Sequence, residues 1–583
     1  MKDINQGLLP IDDAADRWVD QTLGTLSLDQ KIGQLMVFAH YGTFSTPDVK
    51  ELIQHYHVGG LRISQKFAPG CSDLPNIGHA DPVQNGTFLR PDDLRRISCT
   101  AAEFASALNT LREIALERPG QVPLHTAFDQ EGEGADFLFE QRLFPYPMGL
   151  AASGDPDLAR RVSCAIGRQA RAVGGNMIHS PVLDVNTDPA NPEIGTRAYG
   201  EDADTVTRYA RASLQGFTEA GIAATGKHFP GRGHSNCDAH FGLPVIELDR
   251  ETLYRKHLAP YKALIAQGLP CIMAAFTAYP ALSGKAVPAA ISPEIMTGIL
   301  REEFGFQGVV TSDNIQMNGL LDQFDHDMGE AAVACLSAGC DLILCRAYDH
   351  RRLQVLESVK KAVRDGRYPE SKVDASVARI LRLRWQLGLV PDGGLVSPEQ
   401  AGRLFTDTDM IALAHEAADR SITLLRDRAE LLPLSSGSKI LFIEQIHHFH
   451  SFINNTYIHP GMVWEELTRL MPEIKAVAVK EKMTEEDEAT ALRHAEDADV
   501  LISTSYYNYR SGACMLPFLE KLRSTGKPLI VLSNTPYEKF GVPDWVDTAL
   551  VSFCASGREH ARAAAELLAG KRSATAIWKS ANG

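Results

Sequence analysis

The chain has 583 residues, 44% of them hydrophobic and 22% charged, with a formal net charge of -15. That length exceeds what one hydrophobic core usually serves, so two or more domains are expected. The acidic balance argues against nucleic acid or an anionic membrane surface as partner and makes a small, neutral or polar ligand more natural.

The opening residues Met1-Lys2-Asp3-Ile4-Asn5-Gln6 hold no apolar run behind positive charge, and no stretch approaches the ~20 apolar residues of a spanning helix. A soluble, cytoplasmic protein is the expectation. The ten cysteines stand at irregular spacing without a CxxC, a usage that suits reduced thiols better than a disulfide framework or a zinc site.

Asp12 to Gln34 reads as helix, with Ser27 placed to cap Leu28-Asp29-Gln30. Short apolar runs separated by helical stretches follow at Gln34 to Phe38, Gly59 to Ser64, Pro123 to Asp129, Met177 to Val185, Ala223 to His228, Cys271 to Phe276, Gly308 to Asp313 and Asp341 to Cys345. Strands alternating with helices in this way predict an α/β fold beginning with a (β/α)8 TIM-like barrel, because parallel strands covered on both faces read as continuous apolar runs. Asp129, Asp184, Lys227 with His228, and Asp313 fall at the C-terminal ends of these runs, the end that carries the chemistry in such barrels. The Gly/Pro/Asn-rich stretch from Ser64 to Asp93 is expected to be a loop over the strand ends.

After a helical region at Ser376 to Leu389, the segment Val390 to Pro398 reads as a linker, and a helix around Asp407 to Leu425 leads into Leu431-Leu432-Pro433-Leu434. Further apolar runs at Lys439 to Ile443, Ala476 to Val479, Val500 to Tyr506, Pro528 to Asn534 and Thr548 to Cys554 predict a C-terminal α/β sandwich. The domain reading is therefore a catalytic barrel over 1–389, a linker and connecting helix over 390–430, and the sandwich over 431–583. No GxGxxG or Walker-type loop is present, which disfavours a nucleotide site. His447, His448 and His450 lack a carboxylate or cysteine at ligand spacing and read as a solvated loop.

The stretch Lys227-His228-Phe229-Pro230-Gly231-Arg232-Gly233-His234-Ser235-Asn236-Cys237-Asp238-Ala239-His240 packs basic residues, glycines and an Asp-x-His pair into one turn-rich loop after a strand. It is an active-site candidate, with a polar surface turn as the alternative. Asp313, at the end of a β-branched run, suits either a nucleophile held by a rigid strand or the cap of the next helix. Asp129, Asp184 and Arg197 supply donors and acceptors for sugar hydroxyls, and would equally serve structural ion pairs.

These residues carry a resemblance. The Lys227 to His240 loop, Ser312-Asp313, Asp129-Gln130-Glu131-Gly132 and the Asn191 to Arg197 stretch resemble glycoside hydrolase family 3, most of all its β-N-acetylglucosaminidase branch. The resemblance extends into the second domain through Ser421-Ile422-Thr423-Leu424-Leu425 and Leu432-Pro433-Leu434. It implies a retaining double displacement with Asp313 as nucleophile and His240, supported by Asp238, as acid and base. It also implies Asp129, Arg197, Lys227 and His228 as sugar-binding residues, Asp184 as a support of the fourth-strand loop, and no metal or organic cofactor. Four places depart from the family pattern: Arg232 where His is usual, Glu133-Gly134 where a Gly-Arg pair is usual, Phe276 where His is common, and Gln316 where a smaller residue is usual. Exo-release of terminal β-linked N-acetylglucosamine is the leading expectation. Transfer to phosphate, with Arg232 holding the acceptor, and a β-glucosidase specificity are the alternatives.

Overall fold

The computed structural model describes residues 8–41, 45–64, 99–133, 138, 141–347, 349–390, 392–446, 461–480, 483–507, 515–555, 557–578 and 580. The expected loop after Ser64 and the histidines at 447, 448 and 450 lie outside the described residues.

Strands β1 (Met36–Tyr41), β2 (Gly60–Ser64), β3 (His125–Phe128), β4 (Met177–Ile178), β5 (Ala223–Phe229), β6 (Cys271–Ala274), β7 (Val309–Asn314) and β8 (Leu342–Cys345) close into a barrel in sequence order. All pairings are parallel, and β1 returns to β8 through Met36 opposite Ile343. Phe38, Ala127, Ile178, Ala224 and Val310 are buried, as expected of strands covered on both faces. The α/β barrel predicted from the runs is present.

Two local expectations are corrected. The helix expected over Asp12 to Gln34 is two helices, Asp13–Thr25 and Leu28–Gln34, because Ser27 accepts from the Gln30 N–H while the Gln30 side chain accepts from the Ser27 N–H. The strand expected to run from Met177 to Val185 stops at Ile178. Pro181 has no N–H for the ladder, and beyond it Val182 meets Lys227 only through an isolated bridge.

The second sheet contains β9 (Thr423–Asp427), β10 (Ile440–Ile446), β11 (Lys475–Lys480), β12 (Val500–Ser505), β13 (Leu529–Ser533) and β14 (Thr548–Val551), in the order β11-β10-β12-β13-β14-β9. Its pairs are parallel except for β14 with β9. The helix expected to reach Leu425 ends at Ser421; Thr423 to Asp427 then become the edge strand, because pairing with β14 outweighs the local helical pattern. Helices cover both faces of the sheet, over two separate apolar clusters.

The C-terminal ends of β12, β13 and β14 lean on the barrel. Tyr507 donates through its hydroxyl to the Pro192 carbonyl at 3.0 Å, and Asn186 donates to the Tyr537 hydroxyl at 2.8 Å. The Ala555 amide donates to Glu133 Oε1 at 2.7 Å, and the Tyr146 amide to the Phe553 carbonyl at 3.0 Å. The sandwich thus braces the Asn186 to Arg197 loop from outside. Among the described residues no helix is long and apolar enough to cross a membrane.

Candidate active site

The loop after β5 holds its shape because two glycines meet demands no other residue meets easily. Gly231 sits at φ 115°, and a Cβ on Gly233 would lie 1.9 Å from the Val185 carbonyl oxygen. The loop is tied down on several sides: Tyr279 donates to the Gly231 carbonyl at 3.0 Å, and Asn191 donates to the Arg232 carbonyl at 3.0 Å. At its far end the Gly319 amide donates to the Ala239 carbonyl at 2.9 Å. The loop tip is thereby fixed to the segment that follows β7, the strand that carries Asp313. The surface-turn alternative for this loop does not hold, since Lys227, His228, Arg232 and Asp238 are all buried.

One half of the site is a lattice of paired charges at the ends of β2, β3 and β5. Asp129 accepts from Arg62, from His179 Nδ1 at 2.8 Å, and faces Lys227 Nζ at 4.0 Å. Glu131 pairs with Lys227 and takes a two-pronged contact from Arg197, at 2.6 and 2.9 Å. Burial alone would raise both acids, but the neighbouring cations win: Asp129 is held well below the usual carboxylate range and Glu131 is brought down to about 2.

Behind this lattice, Asp184 is fully buried and accepts from His228 Nδ1 at 2.7 Å and from the Arg232 amide at 2.7 Å. Burial pushes Asp184 up to about 6 despite the Arg232 charge, and burial together with Arg232, Lys227 and Arg197 pushes His228 well below its ordinary value. A neutral imidazole donating to a buried carboxyl is the arrangement that results, with Asp184 as a brace between the fourth and fifth strands.

The other half is a chain of carboxylates, a guanidinium and an imidazole. His240 Nδ1 donates to Asp238 Oδ1 at 2.7 Å, and the same oxygen accepts the His240 amide at 2.8 Å. Asp238 would be raised by burial, yet the bonds and charge of His240 bring it down to about 2. Glu193 Oε1 lies 3.8 Å from His240 Nδ1 and accepts from Arg232 Nη2 at 2.7 Å. Arg232 Nη1 in turn lies 3.5 Å from Asp313 Oδ2. Asp313 is not a helix cap: its Oδ1 accepts from the adjacent Asn314 amide, and Met317 precedes the next helix.

Exposure varies across the site. The side chains of Asp129, His240 and Asp313 are 26%, 26% and 14% exposed, whereas Lys227 and Arg232 are 4% and 2% exposed. A carboxylate and an imidazole with its Nε2 uncommitted to Asp238 can attack and move a proton, respectively. Glu193, Asp238 and His240 bring ligand-capable atoms within 4.8 Å of one another, a geometry that fits a cation, but Arg232 already donates to Glu193 and His240 to Asp238.

The structure brings Asp129, Arg197, Lys227, His228, Asp238, His240 and Asp313 around one barrel mouth, and adds four residues the sequence reading passed over. Arg62, a lone cation inside the apolar run of β2, carried a usable signal, because a charge in a buried parallel strand demands a partner. Glu131 and Glu193 lie within stretches that carry the resemblance but were not singled out there, and His179 lies inside the run from Met177 to Val185 with nothing in its spacing to mark it. Glu133, which with Gly134 stands where a Gly-Arg pair is usual, is 2% exposed and ties the barrel to Ala555; Phe276 is fully buried.

Residues 27–383 match the family model described as the glycosyl hydrolase family 3 N terminal domain. The chain is 30% identical over 444 residues to the β-N-acetylglucosaminidase/β-glucosidase of Cellulomonas fimi, covering 75% of this chain and 71% of that protein. It is 30% identical over 417 residues to β-hexosaminidase A of Pseudoalteromonas piscicida, covering 67% of this chain and 64% of that protein. Among solved structures it resembles a glycoside hydrolase family 3 β-N-acetylglucosaminidase from Paenibacillus sp. str. FPU-7, with a TM-score of 0.80, 29% identity, and coverage of 95% of this chain and 98% of that one.

Proposed function

The chain belongs to glycosyl hydrolase family 3 and is a glycoside hydrolase, and from that premise we propose that it is a retaining exo-enzyme releasing terminal β-linked N-acetylglucosamine or a related hexosamine. The observation that carries this reading is the His240–Asp238 bond of 2.7 Å on a loop tied to the segment after β7, with Asp313 at the end of that strand. The names of the Cellulomonas, Pseudoalteromonas and Paenibacillus relatives support the sugar class.

In this reading Asp313 attacks the anomeric carbon and His240 Nε2 protonates the leaving oxygen. Asp238 fixes Nδ1 as a donor and stabilises the imidazolium form that the first step needs. In the second step the neutral imidazole takes a proton from water, and the water oxygen displaces Asp313. Most retaining glycosidases use a second carboxylate for this work. An imidazole becomes neutral on giving up its proton and so adds no negative charge beside the acyl-linked Asp313. Asp129, Arg197, Lys227 and His228 would grip the sugar hydroxyls, with Asp129 the most open of the four.

Transfer to phosphate is the less favoured reading. Arg232, the cation that would hold the acceptor, is 2% exposed and engaged with Glu193 and Asp313, and Arg197 and Lys227 are likewise paired with Glu131. The deciding experiment is a panel of aryl N-acetylglucosaminide, aryl N-acetylgalactosaminide and aryl glucoside, assayed with and without phosphate. Preferential cleavage of the glucoside would overturn the hexosamine reading, and sugar 1-phosphate as the main product would overturn hydrolysis.

A further inference from the structure

Arg232 stands where the Lys-His-Phe-Pro-Gly loop departs from the pattern it otherwise follows, and its surroundings are unusual. The side chain is 2% exposed; its Nη2 donates to Glu193 at 2.7 Å, while Nε and Nη1 are buried and have no hydrogen-bond partner among the described residues. Nη1 lies 3.5 Å from Asp313 Oδ2, too long for a good hydrogen bond but close for two charges. Buried in this way, the guanidinium acts through its charge, and the reacting carboxylate it faces is Asp313.

We infer that Arg232, anchored by Glu193, is a positioning residue that governs the release of Asp313 from the glycosyl-enzyme. The inference rests on the retaining reading above. In the first step an oxygen of Asp313 forms a bond to the anomeric carbon as the glycosidic bond breaks; the bonding pair goes to the leaving oxygen, which takes the proton of His240. Asp313 is then a neutral ester, and Arg232 is left with Glu193 as its nearby counterion. In the second step the water oxygen bonds to the anomeric carbon, His240 takes a water proton, and the electron pair of the ester bond returns to Asp313. The negative charge therefore reappears facing Nη1. Arg232 stabilises the reactant of the first step and the product of the second, so it restrains glycosylation and speeds deglycosylation. Glu193 limits the first effect by neutralising part of the guanidinium charge, and its oxygen keeps Nη1 turned to Asp313 by holding Nη2.

The test is Arg232→Gln with an aryl N-acetylglucosaminide bearing a good leaving group, followed from the first turnover. Expected are a fall in kcat of about 10- to 100-fold, a parallel fall in KM that leaves kcat/KM within about three-fold, and a burst of aryl alcohol equal to the enzyme concentration. Intact-mass analysis of the quenched variant should find a glycosyl adduct on Asp313. Equal losses in kcat and kcat/KM, without burst or adduct, would overturn the inference, because a merely structural role gives that pattern. If the glutamine variant does not fold, Arg232→Lys serves: its shorter reach cannot hold Glu193 and face Asp313 together, and a burst no larger than that of wild type would count against the inference. The anomeric configuration of the first-formed product, read by NMR on wild type, tests the retaining premise separately.

Discussion

His240 and Asp238 are joined twice through one carboxylate oxygen, which accepts both the ring Nδ1–H at 2.7 Å and the main-chain N–H of His240 at 2.8 Å. Two donors from the same residue on one acceptor fix the imidazole's tautomer and its orientation, so that in the proposed mechanism Nε2 is the nitrogen that handles the proton.

Asp238→Asn should break this arrangement without changing its size. The amide can present its NH2 to Nδ1, which favours the wrong tautomer, and it no longer stabilises the imidazolium. A fall in kcat of about 10²- to 10⁴-fold is expected. Aryl substrates with good leaving groups should be spared in the first step, because they need little protonation. A Hammett or Brønsted series on leaving-group pKa checks this: an unchanged slope would assign Asp238 a purely structural role.

Asp313→Asn should remove the nucleophile while keeping the shape of the β7 end. Loss of activity by at least about 10³-fold is expected, with partial rescue by azide, which yields the glycosyl azide of inverted configuration. Full activity in this variant would move the nucleophile elsewhere.

Acid stability should depend on Glu131 and Asp184 with opposite signs. Glu131 is depressed from 4.5 to about 2, so its contribution is present above 4.5 and is lost as pH falls through 2. It amounts to roughly 3 kcal/mol. Asp184 is raised from 3.8 to about 6, so its contribution is present below 3.8 and is lost as pH rises through 6. Thermal melts of Glu131→Gln should therefore approach those of wild type as pH drops toward 2. Melts of Asp184→Asn should close on wild type between pH 4 and 6.

Glu133→Ala should leave the Ala555 amide without its acceptor and weaken the contact between barrel and sandwich, at a cost of about 1–3 kcal/mol. Glu133→Gln keeps an acceptor oxygen and should cost less. Limited proteolysis and denaturant unfolding read the difference. A change in KM rather than in stability would instead place Glu133 at the sugar site.

Much of the fold was legible because its signals are local. Apolar runs between helical stretches follow from strands buried on both faces, and they marked the eight barrel strands to within a few residues, β4 excepted. The strand β9 was not legible: the pattern around Thr423 continues a helix, and only pairing with β14, more than a hundred residues away, makes it extended. Asp238 and His240 were readable as a pair because they lie two residues apart on one loop.

Local sequence pattern set the order of the barrel strands and the residue types delivered to their mouth. The partnerships were decided by tertiary structure. Arg232 reads as an anomaly in its loop, and Glu193 as an unremarkable acid in another; closure of the barrel and the sandwich pressing on Pro192 bring them to 2.7 Å. A buried charge is tolerated only where a partner meets it, and for residues 39 apart in the chain that partner exists only once β5, which lies between them, has taken its place in the barrel.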